Sequence, residues 1–148
     1  MTPSVIPAMK TTGGDRDVKV SLLLLEDDPN FADLVTSIVG EAAPEFIVES
    51  VSELREALAR LERGPVDIIV TDLDVPDSHG PATVRALRQR AAGVPIIVLS
   101  GAVGFGVVDE ATSEGALRYL VKGDVSIEGL VAALRVAWHT EDRTEIVT

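Results

Sequence analysis

The chain contains no cysteine, which excludes disulfides, thiolate metal ligands and cysteine nucleophiles. It also lacks an apolar run long enough to span a bilayer, and residues 1–17 lack the continuous apolar stretch of a secretory signal. We therefore expect no membrane partner and a cytoplasmic location. Basic residues are few: 13 Lys and Arg stand against 24 Asp and Glu, a net charge of −11. Because such a chain repels a phosphate backbone, direct nucleic-acid binding is not expected.

Five strand-like runs alternate with helix-like segments along the chain. The runs are mostly apolar, as expected of strands buried on both faces of a sheet. They are Val18–Leu25, Phe46–Val51, Val66–Thr71, Pro95–Leu99 and Arg118–Val121. The predicted helices are Pro29–Ala42, a second that Ser52 caps and Gly64 ends, a third near Pro81–Ala92, a poorly specified fourth within Gly101–Glu114, and a fifth from the capping Ser126 to about His139.

This regular alternation predicts one α/β domain over residues 18–140, with a parallel sheet covered by helices on both faces. Residues 1–17 are expected to form a flexible N-terminal tail, and residues 141–148 a frayed C-terminal tail.

Charged or hydroxyl side chains follow four of the five predicted strands, at the point where each strand ends. Glu26 and Asp27 follow the first strand, Asp72 and Asp74 the third, Ser100 the fourth and Lys122 the fifth. Because ligands bind at the carboxyl ends of parallel strands, we expect these side chains to form one site.

Carboxylates that converge in a cleft repel one another, and a hard divalent cation with oxygen ligands relieves that repulsion. Mg²⁺ suits a site that keeps waters and meets a phosphate. Lys122 adds a compact positive charge, and Ser100 could hydrogen-bond a phosphoryl oxygen. Together with Asp72 these are the parts needed for in-line phosphoryl transfer to a carboxylate. Taken singly each part has a plainer explanation: Asp28-Pro29, for example, could simply start a helix.

With these residues in view, the sequence resembles the receiver domains of two-component response regulators over Val18–Trp138. The matching motifs are LLLLEDDP (Leu22–Pro29), DIIVTDLDVPDSHG (Asp67–Gly80), PIIVLSG (Pro95–Gly101) and RYLVKG (Arg118–Gly123). The resemblance implies a flavodoxin-like five-stranded sheet of order 2-1-3-4-5.

The resemblance also implies a role for each site residue. Asp72 would be the phosphoacceptor and a Mg²⁺ ligand, Asp27 a direct ligand, Glu26 a ligand through water, and Asp74 a ligand through its backbone carbonyl. Lys122 would bind the phosphoryl group, and Ser100 would be the switch hydroxyl that moves with Tyr119. The donor would be a phosphohistidine on a histidine kinase or phosphotransfer protein, and the output would pass to a downstream protein. Such a domain catalyses its own phosphorylation and dephosphorylation and is not a turnover enzyme.

Three features depart from the family pattern. Gly123 follows Lys122 where proline is usual, which makes this a Lys-Gly variety of the family. Asp74 places a carboxylate where many relatives have a neutral residue. Gly104-Phe105-Gly106 should make the fourth helix start late or loosely, in a region that belongs to the family's output surface.

Two other functions compete with a phosphorylated receiver. Asp72-Leu73-Asp74 after an apolar run resembles the haloacid-dehalogenase-type phosphatases, although there the Asp-x-Asp motif comes early and the acidic metal pair later. The loose fourth helix and the missing proline would also suit a degenerate receiver that acts only as an interaction scaffold. Of the remaining residues, Trp138 should pack against the core from a last helix that could contribute to a homodimer, and His79 and His139 should lie on the surface.

Overall fold

The structure is a computed structural model that describes residues 18–101 and 106–147, with side chains as far as His139. The described residues form five strands and five helices in strict alternation. The strands are β1 (Val20–Leu25), β2 (Phe46–Val51), β3 (Ile68–Thr71), β4 (Ile96–Ser100) and β5 (Arg118–Val121). The helices are α1 (Pro29–Ala42), α2 (Leu54–Arg63), α3 (Ala82–Arg90), α4 (Val107–Ser113) and α5 (Ile127–Val147).

The strands pair in parallel in the order β2-β1-β3-β4-β5, which confirms the predicted fold. Residues of β1 alternate between two cores: Leu22 and Leu24 pack on the side of α1 and α5, and Leu23 and Leu25 on the side of α2, α3 and α4. All four leucines are almost fully buried. Because both faces of β1 are covered, an unbroken apolar run is stable there, and each buried leucine contributes about 1.5–3 kcal/mol.

The start of α2 differs from the prediction that Ser52 caps it. The N-cap residue is Glu53, and it forms a capping box with Glu56. Ser52 instead donates from its backbone N–H and its hydroxyl to Glu56 Oε1, at 3.0 and 3.1 Å. The N–H groups of Leu54 and Arg55, from which a capping Ser52 would accept, donate to Asp77 instead. The prediction for α5 is confirmed, since Ser126 Oγ accepts from Gly129 N at 3.0 Å.

The end of α5 also differs from the prediction. The helix does not stop near His139 but continues to Val147. The sequence after His139 contains neither glycine nor proline, and nothing in it ends a helix. The predicted N-terminal tail, together with Gly104 and Phe105, lies outside the described residues. Within them α4 is short and begins only after Gly106, whose φ is 87°.

The turn between α4 and β5 requires a glycine at position 115. Gly115 has a φ of +120°, and a Cβ there would lie 2.9 Å from both Cδ and Nε of Arg88. We predict that Gly115→Ala lowers the free energy of unfolding by about 1–2 kcal/mol, because alanine is strained at this φ and Arg88 must move. Urea unfolding measures the change.

Gly123→Ala is the matched control, since nothing lies within 4 Å of a Cβ built there and its φ is not in the left-handed range. It should change stability by no more than about 0.5 kcal/mol. Equal losses in the two variants would show that the turn does not depend on Gly115.

Candidate functional site

The register of the sheet brings the predicted site residues to one edge. Leu25 of β1 pairs with Thr71 of β3, so Glu26 and Asp72 leave neighbouring strands side by side. The backbone N–H of Asp72 donates to Leu25 O at 2.9 Å. On the other side, Lys122 follows β5 and its N–H donates to Ser100 O at 2.9 Å. Residues from β1, β3, β4 and β5 therefore meet above the carboxyl ends of the strands.

Lys122 lies between two buried carboxylates. Its Nζ is 2.8 Å from Glu26 Oε1 and 3.0 Å from Asp72 Oδ2, while the two acidic side chains are only 2% and 10% exposed. Burial works to lower the pKa of Lys122, but its bonds to Glu26 and Asp72 outweigh burial and the pKa is raised. For Glu26 burial dominates and raises the pKa, although Lys122 and the Asp28 N–H oppose the shift.

The carboxylate of Asp72 is held by four donors. Oδ1 accepts from Leu73 N at 2.7 Å, from Asp74 N at 3.3 Å and from Ser100 Oγ at 3.0 Å. Oδ2 accepts from Lys122 Nζ at 3.0 Å. These bonds fix the orientation of the predicted phosphoacceptor.

Three carboxylates form a potential cation site. One oxygen from each of Glu26, Asp27 and Asp72 lies within 4.8 Å of the other two. Asp27 is exposed, which leaves one side of the group open to water. Glu26 is buried and both its oxygens already have donors, Lys122 Nζ and Asp28 N. A hard oxygen set with one open side fits Mg²⁺, and the occupied oxygens of Glu26 fit a contact through water.

Two acidic residues beside this group have other partners. Asp28 is the N-cap of α1 and accepts from Asn30 N at 3.0 Å, so the helix-start explanation holds for it. The side chain of Asp74 turns to the following loop, where Oδ1 lies 2.7 Å from His79 Nδ1 and accepts from Gly80 N at 3.1 Å. His79 is on the surface as predicted, with 91% of its side chain exposed. A carbonyl contact from Asp74 to a cation stays a prediction.

The predicted switch pair is in contact. Ser100 donates to Asp72 and is hydrogen-bonded to the Tyr119 side chain. Burial raises the pKa of Tyr119, and the carboxylates of Asp72 and Asp74 add to the shift. The Tyr119 side chain therefore already reaches Ser100 in this conformation. A short chain of hydrogen bonds links Asp72 to the side of β5.

Sequence reasoning missed one residue of the site. Lys122 Nζ lies 4.5 Å from the centroid of the Phe31 ring, a cation–π contact that also limits where the ammonium can move. Phe31 stands in the first turn of α1, three residues after Asp28. The sequence position of Phe31 could have indicated this contact, because the first turn of the helix that follows β1 lies beside the carboxyl ends of the strands.

Comparison with known proteins shows the family of the chain. The family model of the response regulator receiver domain matches residues 22–135. The chain is 30% identical to the acid tolerance regulatory protein ActR of Rhizobium meliloti, over 90% of this chain and 69% of that protein. It is 32% identical to the methanogenesis regulatory protein FilR1 of Methanothrix harundinacea, over 74% of this chain but 25% of that protein. The crystallised chemotaxis protein CheY4 of Vibrio cholerae is similar at 25% identity with a TM-score of 0.72, covering 81% of this chain and 99% of that one.

The chain therefore belongs to the response regulator receiver domains of two-component systems. These are signalling domains rather than turnover enzymes, and they interact with histidine kinases or phosphotransfer proteins and with effectors. The chain spans a quarter of FilR1 and 46% of the glycerol metabolism activator of Pseudomonas putida. Among the described residues, no helix is long and apolar enough to cross a membrane.

The contacts of Lys122 with two buried carboxylates lead to a prediction about stability. Lys122→Met should lower the free energy of unfolding near pH 7 by about 1–3 kcal/mol, because Glu26 and Asp72 would lose a shared donor and counter-charge. A raised pKa in the folded state means that protonated Glu26 adds stability at low pH, and that this contribution is lost as the pH rises through the folded value. The deficit of the variant should therefore shrink as the pH falls, and also when Mg²⁺ is added. Urea titrations at several pH values measure it.

Lys19→Met is the matched control, since Lys19 is exposed at the opposite edge of the sheet. A deficit in Lys122→Met no larger than that of Lys19→Met would contradict the proposed balance.

Proposed function

We propose that this receiver accepts a phosphoryl group on Asp72 from a phosphohistidine donor, with Mg²⁺ bound at the acidic group. The observation that carries the proposal is the environment of Asp72: a buried carboxylate held by Lys122 and Ser100 and within 4.8 Å of oxygens from Glu26 and Asp27. The fold alone would not carry it, since related folds host many functions.

The proposed reaction is an in-line displacement. One oxygen of Asp72 forms a bond to phosphorus as the P–N bond of the donor breaks, and the electron pair of that bond leaves with the imidazole. Lys122 and Ser100, already in contact with Asp72, are placed to pair with phosphoryl oxygens as charge develops on them. Asp27 and Asp72, with Glu26 through water and the carbonyl of Asp74, would hold Mg²⁺, which supplies charge neutralisation at the phosphoryl group.

The expected partners are a histidine kinase or a phosphotransfer protein upstream and an effector protein downstream, which fits a cytoplasmic location. A homodimer through α5 stays a prediction; Ile127 and Val136 of that helix are 47% and 49% exposed. A haloacid-dehalogenase-type phosphatase is disfavoured, because the match to receiver domains covers residues 22–135 and the Asp74 carboxylate is bonded to the loop rather than to the acidic group.

Incubation with acetyl phosphate and Mg²⁺ tests the phosphoacceptor. Intact mass spectrometry should show a mass gain of one phosphoryl group, which Asp72→Asn abolishes because a carboxamide does not attack phosphorus. Asp74→Asn is the matched control and should still gain the group. An unmodified wild-type chain would favour the interaction scaffold, and steady turnover of a small phosphate ester would favour the phosphatase.

The hydrogen bonds that link Asp72 to Tyr119 through Ser100 predict that Tyr119 responds to phosphorylation of Asp72. A phosphoryl oxygen would compete with Asp72 for the Ser100 hydroxyl and so alter the bond to Tyr119, a population shift driven by local electrostatics. In nuclear magnetic resonance spectra, beryllofluoride with Mg²⁺ should move the Tyr119 ring signals strongly in the wild type and weakly in Ser100→Ala. Ser113→Ala, which removes an exposed hydroxyl from α4, should respond as the wild type does. Equal shifts in all three would refute the coupling.

A further inference from the structure

The start of α2 is capped from a distance by the loop that follows the phosphoacceptor. The backbone N–H groups of Leu54 and Arg55 cannot be satisfied within the helix. Both donate to Asp77, at 2.7 Å to Oδ1 and 3.0 Å to Oδ2, across more than twenty residues of sequence. Glu56 takes the N–H groups of Ser52 and Glu53 instead, so it does not compete for these two donors.

Asp77 stands in a tight turn that begins one residue after Asp74. Val75 and Ser78 close the turn with reciprocal backbone bonds of 3.0 and 3.2 Å. Val75 is also 93% buried, in the core that contains Leu73 and Leu54. Because the turn is short and closed, a shift of Asp77 must be passed to Val75 and hence to the peptide of Asp74.

The other end of the loop is anchored independently. Thr83 Oγ1 donates to Leu73 O at 2.7 Å and lies 2.7 Å from Ser78 Oγ. The loop is thus held to α3 by Thr83 and to α2 by Asp77. Of these two attachments only the Asp77 bonds are exposed to solvent, so they are the ones that can break without loss of the core.

We propose that Asp77 is a positioning residue for Mg²⁺: its bonds to the start of α2 hold the loop so that the Asp74 carbonyl can face the acidic group. This inference rests on the proposed function, because it concerns the cation of the same site. It also makes α2 sensitive to the cation, since coupling between two sites is reciprocal.

The test separates capping from simple charge. Asp77→Ala removes both acceptors and the charge, whereas Asp77→Asn removes the charge and keeps one of the two acceptors, because its amide nitrogen cannot accept a hydrogen bond. Mg²⁺ titrations of isotope-labelled protein, followed at the amide signals next to Asp72, should show a half-saturating concentration about three- to tenfold higher in Asp77→Ala, the loss expected for one cap. Asp77→Asn, which keeps one of the two bonds, should weaken Mg²⁺ binding by less than Asp77→Ala does.

Glu41→Ala is the charge control, because Glu41 is an exposed acid near the end of α1, at the opposite edge of the sheet. It should leave Mg²⁺ binding unchanged. The proposal is overturned if Asp77→Ala binds Mg²⁺ as the wild type does, or if Asp77→Asn is weakened as much as Asp77→Ala, which would make the effect one of charge alone.

A second measurement needs no variant. Hydrogen exchange at the amides of Leu54 and Arg55 should slow in the wild type when Mg²⁺ is added, because the cation and the cap favour the same loop position. Unchanged exchange at saturating Mg²⁺ would also overturn the proposal. If the wild type bound no Mg²⁺ at all, the proposed function itself would fail, an outcome distinct from either result.

Discussion

The contact on which the site depends is that of one ammonium group with two buried carboxylates. Lys122 Nζ lies within 3.0 Å of oxygens from both Glu26 and Asp72, which are almost wholly removed from solvent. Without that charge the carboxyl edge of the sheet would gather Glu26, Asp27 and Asp72 with little to offset their repulsion. The pKa of Lys122 is raised because its bonds to the two carboxylates favour the charged form. The pKa of Glu26 is raised because burial disfavours its ionised form.

Parallel pairing is what makes this contact possible. Glu26, Asp72 and Lys122 come from distant parts of the chain, yet each directly follows a strand, and register alone brings the three strand ends together. The apolar residues of those strands alternate between the two cores, so a slip of one residue would send each of them to the opposite core and shift the charges at the strand ends. The burial that stabilises the sheet therefore also fixes the relative positions of the charges.

This explains why sequence predicts the fold and the acidic group well. Apolar runs and strand ends can be recognised from local sequence. In a parallel sheet the residues that follow the strands then lie together at one edge. The unpredicted contacts depend on loop conformation or on side-chain reach. Asp77 caps a helix that begins more than twenty residues earlier, the Asp74 carboxylate turns to His79, and Glu53 rather than Ser52 is the N-cap of α2. In each case several residues could have made the bond, and only the path of the backbone decides among them.

The same arrangement explains why a small chemical change at Asp72 could alter contacts in other parts of the domain. Each of its carboxylate oxygens is already bonded, Oδ1 to Ser100 and two backbone amides and Oδ2 to Lys122, so a new group there must rearrange existing bonds. Two of those partners lead away from the site: Ser100 is bonded to Tyr119 on β5, and the Asp74 amide belongs to the loop that Asp77 ties to α2. A phosphoryl group or a cation at Asp72 would thus affect both β5 and the start of α2 through contacts that exist before it binds. Under the proposed function, signalling would require only a change in the balance among bonds that are already formed.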